Sequence, residues 1–480
     1  MNELQMMILS TIKAECSSPV VTESSDARLR DHVAELAILA NYLEVELLKV
    51  PGLKQAAMRE LLAIARGADG ANGAVAQKLA QLCSTEDATQ FDACLNAARE
   101  LHRHLVGVGT PEAMQQQKQL ALAEGRYARQ VLDVNAQMLH PKDATAGAAA
   151  GQMRAYDEGK LSRFLATTFP QEKDMRLVES NFIAGGSSKY TMLMRVAGAK
   201  NVPEEMVLRG DSVSSAGYGG MSAVDEHRLL TVMHAHGACV PKPVAVETSG
   251  DVFGSPFMLT ERRPGVMIGH MFKLPPPNKT TARDIAKQLA KIHLVPLDAI
   301  GDWMRGSKVK TSEQVAATIE QSAANWQALN RPSPMFDATF KYLRDNVAVM
   351  DRSRGLVHGD YGLNNILIHE DKVGAVLDWE FAHIGNSAYD LGYFYYQAEA
   401  LASWQEFLDA YAAAGAPLPS KEELDFSILF AVVRLGVMVC QAEMAFRAGI
   451  AKGLFISLTF GRNSHNTTLQ RLHDLLERIL

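Results

Sequence analysis

The sequence has few cysteines, no long uninterrupted apolar run and no strong net charge. Its five cysteines are widely spaced without a CxxC pair, which argues against a disulfide framework or a structural zinc site and is typical of reduced thiols. The 48 basic and 54 acidic residues give a formal net charge of −6, so the surface offers no general footprint for nucleic acid. The N-terminus lacks the basic region of a secretory signal. We therefore expect a cytoplasmic protein without a nucleic-acid partner.

The composition is that of a globular protein rather than a membrane protein. Apolar residues make up 47% of the 480-residue chain and charged residues 21%, close to ordinary usage. The longest largely apolar stretch, residues 426–446, contains Arg434, Gln441 and Glu443. Charged groups are costly inside a bilayer, so we interpret this stretch as a buried helix and expect no membrane span.

The first part of the chain has helical periodicity. In residues 28–50, apolar residues recur every three or four positions, as one face of an amphipathic helix requires. The same pattern continues in residues 53–66, 74–83, 88–107 and 112–139. We predict an all-α helical module at residues 1–145, followed by an Ala- and Gly-rich linker at 140–152. The module has no metal-ligand or nucleophile pattern, and it could mediate dimerisation, bind a protein partner or cover a cleft.

The rest of the chain changes from strands to helices. Segments rich in β-branched and apolar residues, separated by turn signals, are residues 176–183, 190–196, 205–209, 241–247 and 256–260. A helical pattern at 221–235 interrupts them. From residue 280 helices dominate, except for a predicted hairpin at 365–377. The sequence therefore predicts an α+β chain, with a β-rich lobe at 153–265 and a helical lobe at 266–480.

The most informative segment is LVHGDYGLNNILIHEDKVGAVLDWEF, residues 356–381. It contains His358, Asp360, Asn365 and, after the predicted hairpin, Asp378. Phosphoryl transfer needs one carboxylate to orient or deprotonate the attacking hydroxyl, and an amide and a second carboxylate to hold Mg²⁺ on the phosphates. The spacing can bring these three side chains to one point, because the loop and the two strands of a hairpin place them at the same end.

The longer segment HGDYGLNNILIHEDKVGAVLDWEFAHIGNSAYDLGYF resembles the small-molecule kinases of the aminoglycoside phosphotransferase and choline kinase type, particularly their acyl-CoA-dehydrogenase-associated branch. The resemblance extends over roughly residues 155–480. It implies a bilobal protein-kinase-like fold with ATP between a β-rich N-lobe and a helical C-lobe. It also implies that Asp360 is the catalytic base, that His358 supports its loop, that Asn365 and Asp378 hold Mg²⁺, and that Asp390 braces the loop from the next helix.

The resemblance further implies a set of nucleotide-binding residues in the β-rich lobe. They are Gly185, Gly186, Ser187, Ser188, Arg209, Glu226 and Glu261. The glycines would let the backbone approach phosphate. Arg209 stands where kinases usually place a lysine that pairs with a glutamate of the following helix, here Glu226. An arginine keeps the charge but not the compact ammonium group, so the geometry of this pair differs from that of a lysine pair.

The acceptor is expected to be a small molecule, because only eleven residues separate Asp378 from Asp390 and no long activation segment follows. Residues 426–465 contain four Lys or Arg residues, including Arg434 and Arg447, but one acid. This favours an anionic or apolar acceptor such as a hydroxyacyl-CoA or a hydroxy acid, although these cations could equally pair with helix acids. An aminoglycoside, amino alcohol or sugar is the alternative acceptor, and a nucleotide-binding pseudokinase scaffold is the alternative of another class.

Overall fold

A computed structural model of the chain describes residues 49–66, 73–85, 87–138, 157–183, 189–211, 220–269, 274–447 and 454–479. The contacts divide the chain into two units, which are treated separately below. The first unit comprises residues 1–147, 315–347 and 429–480, and the second comprises residues 148–314 and 348–428. Most of the predicted helix at 28–50 and all of the predicted linker at 140–152 lie outside the described residues.

The α-helices of the described residues are, in chain order, α1 (Val50–Arg66), α2 (Gly73–Cys83), α3 (Phe91–Val106), α4 (Pro111–Met138), α5 (Glu158–Thr168), α6 (Ala223–Ala235), α7 (Lys279–His293), α8 (Leu297–Ile300), α9 (Thr311–Ala328), α10 (Pro334–Asn346), α11 (Ala388–Leu401), α12 (Trp404–Ala413), α13 (Lys421–Arg447) and α14 (Leu454–Ile479). The strands are β1 (Arg176–Ile183), β2 (Lys189–Ala197), β3 (Glu205–Asp211), β4 (Pro243–Glu247), β5 (Phe257–Glu261), β6 (Gly355–Val357), β7 (Ile366–His369), β8 (Lys372–Val376) and β9 (His383–Gly385).

The first unit combines the N-terminal helices with two later segments. Its core joins α1 to α4 through an apolar face on each helix, as the periodicity predicts. Helix α4 also packs closely against α14, because a β-carbon at Gly125 would overlap the His473 side chain. An ion pair between Arg129 and Asp474 joins the same two helices.

Two buried or half-buried carboxylates attach α10 to the N-terminal helices within this unit. Asp337 accepts hydrogen bonds from the Nε atoms of Arg99 and Arg103, each at 2.8 Å. Glu124 accepts hydrogen bonds from Ser333 Oγ at 2.6 Å and from the Met335 N–H at 3.1 Å. Glu124 therefore satisfies donors at the N-terminus of α10, where helices leave N–H groups unpaired.

This grouping differs from the consecutive ranges 1–145, 153–265 and 266–480 expected from the sequence. Residues 315–347 and 429–480, expected in the helical lobe, are grouped with the N-terminal helices. The physical reason is that helical periodicity identifies an apolar face but not the helix that covers it. The boundaries near residues 145 and 265 stay predictions.

The second unit contains the sheet and the catalytic segment. Strands β1 to β5 form an antiparallel five-stranded sheet in the order β1-β2-β3-β5-β4. One face of it covers an apolar core shared with α5. Helix α6 follows β3 and contributes Leu229, Leu230 and Met233 to a second core, which also contains residues of α7, α11 and α12.

The predicted α+β fold, with a β-rich lobe and a helical lobe, is confirmed. Each predicted strand has a counterpart that begins and ends within two residues of the expected position. The predicted hairpin consists of β7 and β8, which pair in antiparallel register. The apolar stretch at 426–446 lies within α13, and no helix among the described residues is long and apolar enough to cross a bilayer.

Glu124 should make the stability of the first unit depend on pH. Burial raises the pKa of this carboxyl to about 7, above its ordinary value, so the folded state binds its proton more tightly than the unfolded chain does. The stabilisation from the protonated form is complete below pH about 4.5 and is lost as the pH rises through 7. The side chain of Glu124→Gln cannot ionise, so the variant does not lose this stabilisation. We expect the free energy of unfolding of the variant, relative to that of the wild type, to rise by a few kcal/mol between pH 5 and pH 8.

Thermal unfolding of both proteins at pH 5, 6.5 and 8 measures this difference. Other carboxylates titrate equally in the two proteins, so their effect cancels in the comparison. A constant difference between the two unfolding midpoints at all three pH values would contradict the prediction.

Candidate active site

The catalytic segment is held in shape by one buried carboxylate. After β6 the chain turns through His358, Gly359 and Asp360. Asp390, near the start of α11, is fully buried and accepts hydrogen bonds from the His358 N–H at 2.7 Å and the Gly359 N–H at 2.9 Å. Gly359 has a φ of +84°, and a β-carbon there would overlap the carbonyl oxygen of Phe381, so the turn requires glycine. Asp390 thus braces this loop as the resemblance implies.

His358 links the loop to the far strand of the hairpin. Its Nδ1 accepts a hydrogen bond from the Asp360 N–H at 3.2 Å, so the proton belongs on Nε2, which donates to the Leu377 carbonyl oxygen at 2.9 Å. Leu377 directly precedes Asp378. A neutral, fully buried imidazole therefore fixes the separation between Asp360 and Asp378.

Asp360 is oriented by two side chains. Asn365 Nδ2 donates to the Asp360 Oδ2 at 2.8 Å and to its carbonyl oxygen at 2.9 Å. Tyr393, on α11, makes a hydrogen bond to the Asp360 carboxylate, and burial together with that carboxylate raises the pKa of the tyrosine well above its ordinary value. Tyr393 is thus a neutral donor to Asp360. Asp360 itself is half-buried and thus stays partly accessible.

Asp378 lies at the end of the hairpin in a left-handed conformation, with φ 64° and ψ 67°. Non-glycine residues in this region are uncommon and are concentrated at functional sites. Its Oδ1 accepts a hydrogen bond from Arg209 Nη2, and the next residue, Trp379, donates its N–H to the Glu226 carboxylate. The predicted metal ligand is therefore connected to both the sheet and helix α6.

Glu226 lies between two cations. Arg209 Nη1 is 3.8 Å from its Oε1, and Lys189 Nζ is 3.0 Å from its Oε2. Burial alone would raise the pKa of this carboxyl, but Arg209 and Lys189 hold it below its ordinary value, so Glu226 is ionised. Burial would also lower the pKa of Arg209, but Glu226 and Asp378 raise it further, and the guanidinium stays charged.

Of the remaining residues predicted to bind the nucleotide, only Glu261 lies within the described part of the chain. Gly185, Gly186, Ser187 and Ser188 lie between β1 and β2 but outside the described residues. Glu261 ends β5, and its carboxylate accepts hydrogen bonds from Arg263 Nη1 at 3.1 Å and from the Lys242 N–H at 3.3 Å. Its side chain is thus used within the protein. The role of Glu261 in binding the nucleotide stays a prediction.

The donor set at the end of the hairpin fits Mg²⁺. Asn365 directs its amide N–H groups to Asp360, which leaves the carbonyl oxygen Oδ1 to face a ligand, and the Asp378 side chain is one third exposed. No group of three His, Cys, Asp or Glu side chains among the described residues could hold a metal without other ligands. Such a site matches Mg²⁺, which typically takes one or two protein oxygens together with phosphate oxygens and water.

The predicted acceptor residues belong to the first unit. Arg434 is partly buried in α13, within the segment from residue 429 that is grouped with the N-terminal helices. Arg447 is the last residue of α13, and its side chain lies outside the described residues. Their role in binding an acceptor stays a prediction.

Sequence reasoning missed two residues of the site. Lys189 immediately follows the Gly- and Ser-rich residues 185–188 in the sequence, and a lysine at the start of a strand could have drawn attention to it. Tyr393 lies three residues after Asp390, inside the motif DLGYF that carries the resemblance. This spacing places it on the same side of the helix as Asp390, but it does not show that the side chain reaches Asp360.

Comparisons with known proteins show which proteins the chain is similar to. Residues 205–426 match the model of the family described as phosphotransferase enzyme family. The probable acyl-CoA dehydrogenase IBR3 of Arabidopsis thaliana is 28% identical over 372 residues, which are 68% of this chain and 42% of that protein. Acyl-CoA dehydrogenase family member 11 of Gallus gallus is 25% identical over 247 residues, 50% of this chain and 30% of that protein. The chain thus spans less than half the length of these relatives.

A crystal structure of a Ralstonia eutropha protein assigned to the aminoglycoside phosphotransferases has the same fold. It aligns with a TM-score of 0.54 and 19% identity, and it covers 68% of this chain and 99% of that chain. These matches confirm the resemblance inferred from the sequence and the bilobal fold, and the match of residues 205–426 to a phosphotransferase family supports the predicted small-molecule kinase.

Asp390→Asn should disable the catalytic loop. The amide can accept one of the two backbone hydrogen bonds, but its NH₂ group would face the other N–H, which leaves a buried donor unsatisfied. We expect the free energy of unfolding to fall by about 2–4 kcal/mol. Burial would raise the pKa of Asp390, but His293 and His358 hold it below its ordinary value. The wild-type advantage should therefore be present above pH about 4 and be lost on acidification.

Glu172→Gln is the matched control for this variant. Glu172 is a buried carboxylate that also accepts two backbone N–H groups, from Lys200 at 2.6 Å and Asn201 at 3.0 Å, but these lie in the loop between β2 and β3 and not in the catalytic loop. Chemical denaturation and turnover are measured on both variants. Equal losses of turnover in the two would mean that Asp390 has no specific role in the loop.

Proposed function

Because residues 205–426 are a phosphotransferase-family domain, we propose that the chain transfers the γ-phosphoryl group of ATP to a hydroxyl group of a small molecule. One observation carries the proposal. Asn365 holds the Asp360 carboxylate at 2.8 Å, while His358 joins the same loop to the residue before Asp378. A base and two oxygen donors for a metal are thereby fixed together, which is what phosphoryl transfer requires.

The acceptor hydroxyl oxygen attacks the γ-phosphorus of ATP, its proton passes to the Asp360 carboxylate, and the bond from phosphorus to the bridging oxygen breaks to release ADP. Asn365 and Tyr393 keep the receiving carboxylate in one orientation. Mg²⁺, when held by Asp378 and Asn365, neutralises charge on the phosphate oxygens. Arg209 adds a fixed positive charge beside Asp378.

We propose a hydroxyacyl-CoA or a hydroxy acid as the acceptor. The resemblance to the acyl-CoA-dehydrogenase-associated branch supports this class, as do relatives whose names describe them as acyl-CoA dehydrogenases. The excess of cations in residues 426–465 gives a second support, because Arg434 and Arg447 would attract the phosphates or carboxylate of such an acceptor and repel an aminoglycoside.

A cytoplasmic location and a partner for the helical module belong to the same proposal. Cys83, Cys94, Cys239 and Cys440 are free thiols, as expected in a reducing compartment. The helical module at residues 1–145, which contains none of the proposed catalytic, nucleotide-binding or acceptor-binding residues, would mediate dimerisation, bind a protein partner or cover the cleft.

Asp360→Asn should lower turnover by at least about 10²-fold and leave ATP binding intact, because the carboxylate acts on the acceptor and not on the nucleotide. Asp378→Ala should instead lose Mg²⁺-dependent ATP binding. Calorimetric titration of ATP with and without Mg²⁺, alongside single-turnover kinetics, separates the two effects. Near-normal turnover in Asp360→Asn would remove it as the base.

ADP release over a panel of hydroxyacyl-CoAs, free hydroxy acids, aminoglycosides, amino alcohols and sugars tests the acceptor. We expect turnover with the first two classes, and a higher KM for the acyl-CoA in Arg434→Glu at an unchanged KM for ATP. Arg163→Glu, a charge reversal at an exposed position of α5, is the control. Robust phosphorylation of an aminoglycoside and of no acid or thioester would overturn the acceptor class and leave the kinase proposal standing. Nucleotide binding without turnover on any acceptor would favour the scaffold alternative.

A further inference from the structure

Two cations approach Glu226, and they differ in how open they are to a further ligand. Lys189 Nζ lies within reach of three oxygen atoms, at 3.0 Å from Glu226 Oε2, 3.3 Å from Asp211 Oδ1 and 2.7 Å from the Met221 carbonyl oxygen. The contacts to Asp211 and Met221 are hydrogen bonds, and the contact to Glu226 is a close ion pair. The side chain is 4% exposed. Lys189 is therefore enclosed by three oxygen atoms of the protein and has no open path to a further ligand.

Arg209 has the opposite properties. It donates from Nη2 to Asp378, and its Nη1 is 3.8 Å from Glu226, which is beyond hydrogen-bond distance. A guanidinium has five N–H donors, so several stay unused. The side chain is 18% exposed, more than four times the value for Lys189. Arg209 is thus the cation that can still bind an anion next to Asp378.

We infer that two residues of this chain divide the two tasks that one lysine on a strand performs in kinases. This inference rests on the proposed function. Lys189 is the positioning residue that pairs with Glu226 and fixes α6, and Arg209 is the cation that meets the nucleotide phosphates beside Asp378. In kinases one lysine both pairs with the helix glutamate and holds the phosphates. In this chain the lysine comes from β2 and the arginine from β3.

The neighbours of Lys189 show why it can fix the helix. Asp211 accepts the N–H of Ala223, the first residue of α6, at 3.1 Å, and Ser222 caps the same helix. Lys189 joins this carboxylate to Glu226, one turn further along the helix. It therefore ties the strand that follows the Gly-rich turn to the first turns of α6.

The inference is tested first without nucleotide, by double-mutant cycles on the thermal midpoint of the full chain. Lys189→Met should lower the midpoint by roughly 5 °C or more, because it leaves a buried carboxylate short of a partner. Its effect should be strongly non-additive with Glu226→Gln, whereas the effect of Arg209→Met should be non-additive with Asp378→Asn and close to additive with Glu226→Gln. Lys189→Arg should recover part of the loss. Arg195→Met, on the exposed side of β2, is the control and should shift the midpoint little.

Calorimetric titration with ATP and Mg²⁺ then tests the division at the nucleotide. Arg209→Met should weaken ATP binding about tenfold or more, and Lys189→Met, measured well below its midpoint, should weaken it less. The division is wrong if Lys189→Met loses tenfold in affinity with an unchanged midpoint, or if Arg209→Met binds ATP as the wild type does. If Lys189→Met does not fold, Lys189→Gln and Lys189→Arg take its place in both measurements.

Failure of the wild type to bind ATP would overturn the proposed function together with the phosphate half of the inference. The cycles measured without nucleotide would still decide between Lys189 and Arg209 as the partner of Glu226. Additive effects of Lys189→Met and Glu226→Gln would overturn that half on its own.

Discussion

The buried carboxylate of Glu226 is the constraint on which the site depends. With 1% of its side chain exposed, its charge cannot be solvated and must be balanced by groups of the protein. Lys189 from β2, Arg209 from β3 and the N–H of Trp379 provide that balance. Each of these groups comes from a different element, so satisfying one charge fixes the sheet, helix α6 and the chain beside Asp378 relative to one another.

A second buried carboxylate does the same for the other half of the site, but it binds N–H groups instead of cations. Asp390 accepts the two N–H groups of the catalytic turn and a hydrogen bond from His293 Nε2 at 3.1 Å. Asp360 and Asp378, the carboxylates proposed to act on ligands, are only half-buried. Burial thus separates the two roles. Carboxylates that position the site are enclosed and balanced by cations or N–H groups, and those proposed to act on ligands stay partly exposed.

The sequence predicts well what depends on neighbours along the chain. The turn at Asp360, Asn365 directly before β7 and Asp378 after β8 follow from a hairpin whose strands are short and apolar. Contacts between distant segments could not be predicted in this way. Lys189 meets Glu226 across 37 residues, and residues 429–480 join helices that lie more than 300 residues earlier. Periodicity says that such a residue or face is buried, but it does not identify the partner.

The replacement of a lysine by Arg209 on β3 explains why a second cation is needed. A guanidinium is longer and planar, and here it reaches past Glu226 to hydrogen-bond Asp378. Because of that contact, Arg209 Nη1 stays 3.8 Å from Glu226, beyond hydrogen-bond distance. Without a second cation, Glu226 would be buried and poorly paired. Lys189 supplies the missing charge from the neighbouring strand. Lys189 contacts Asp211 as well as Glu226, and Arg209 contacts Asp378, so the buried carboxylate of α6 and the partly exposed carboxylate after the hairpin each have a close cation from a different strand.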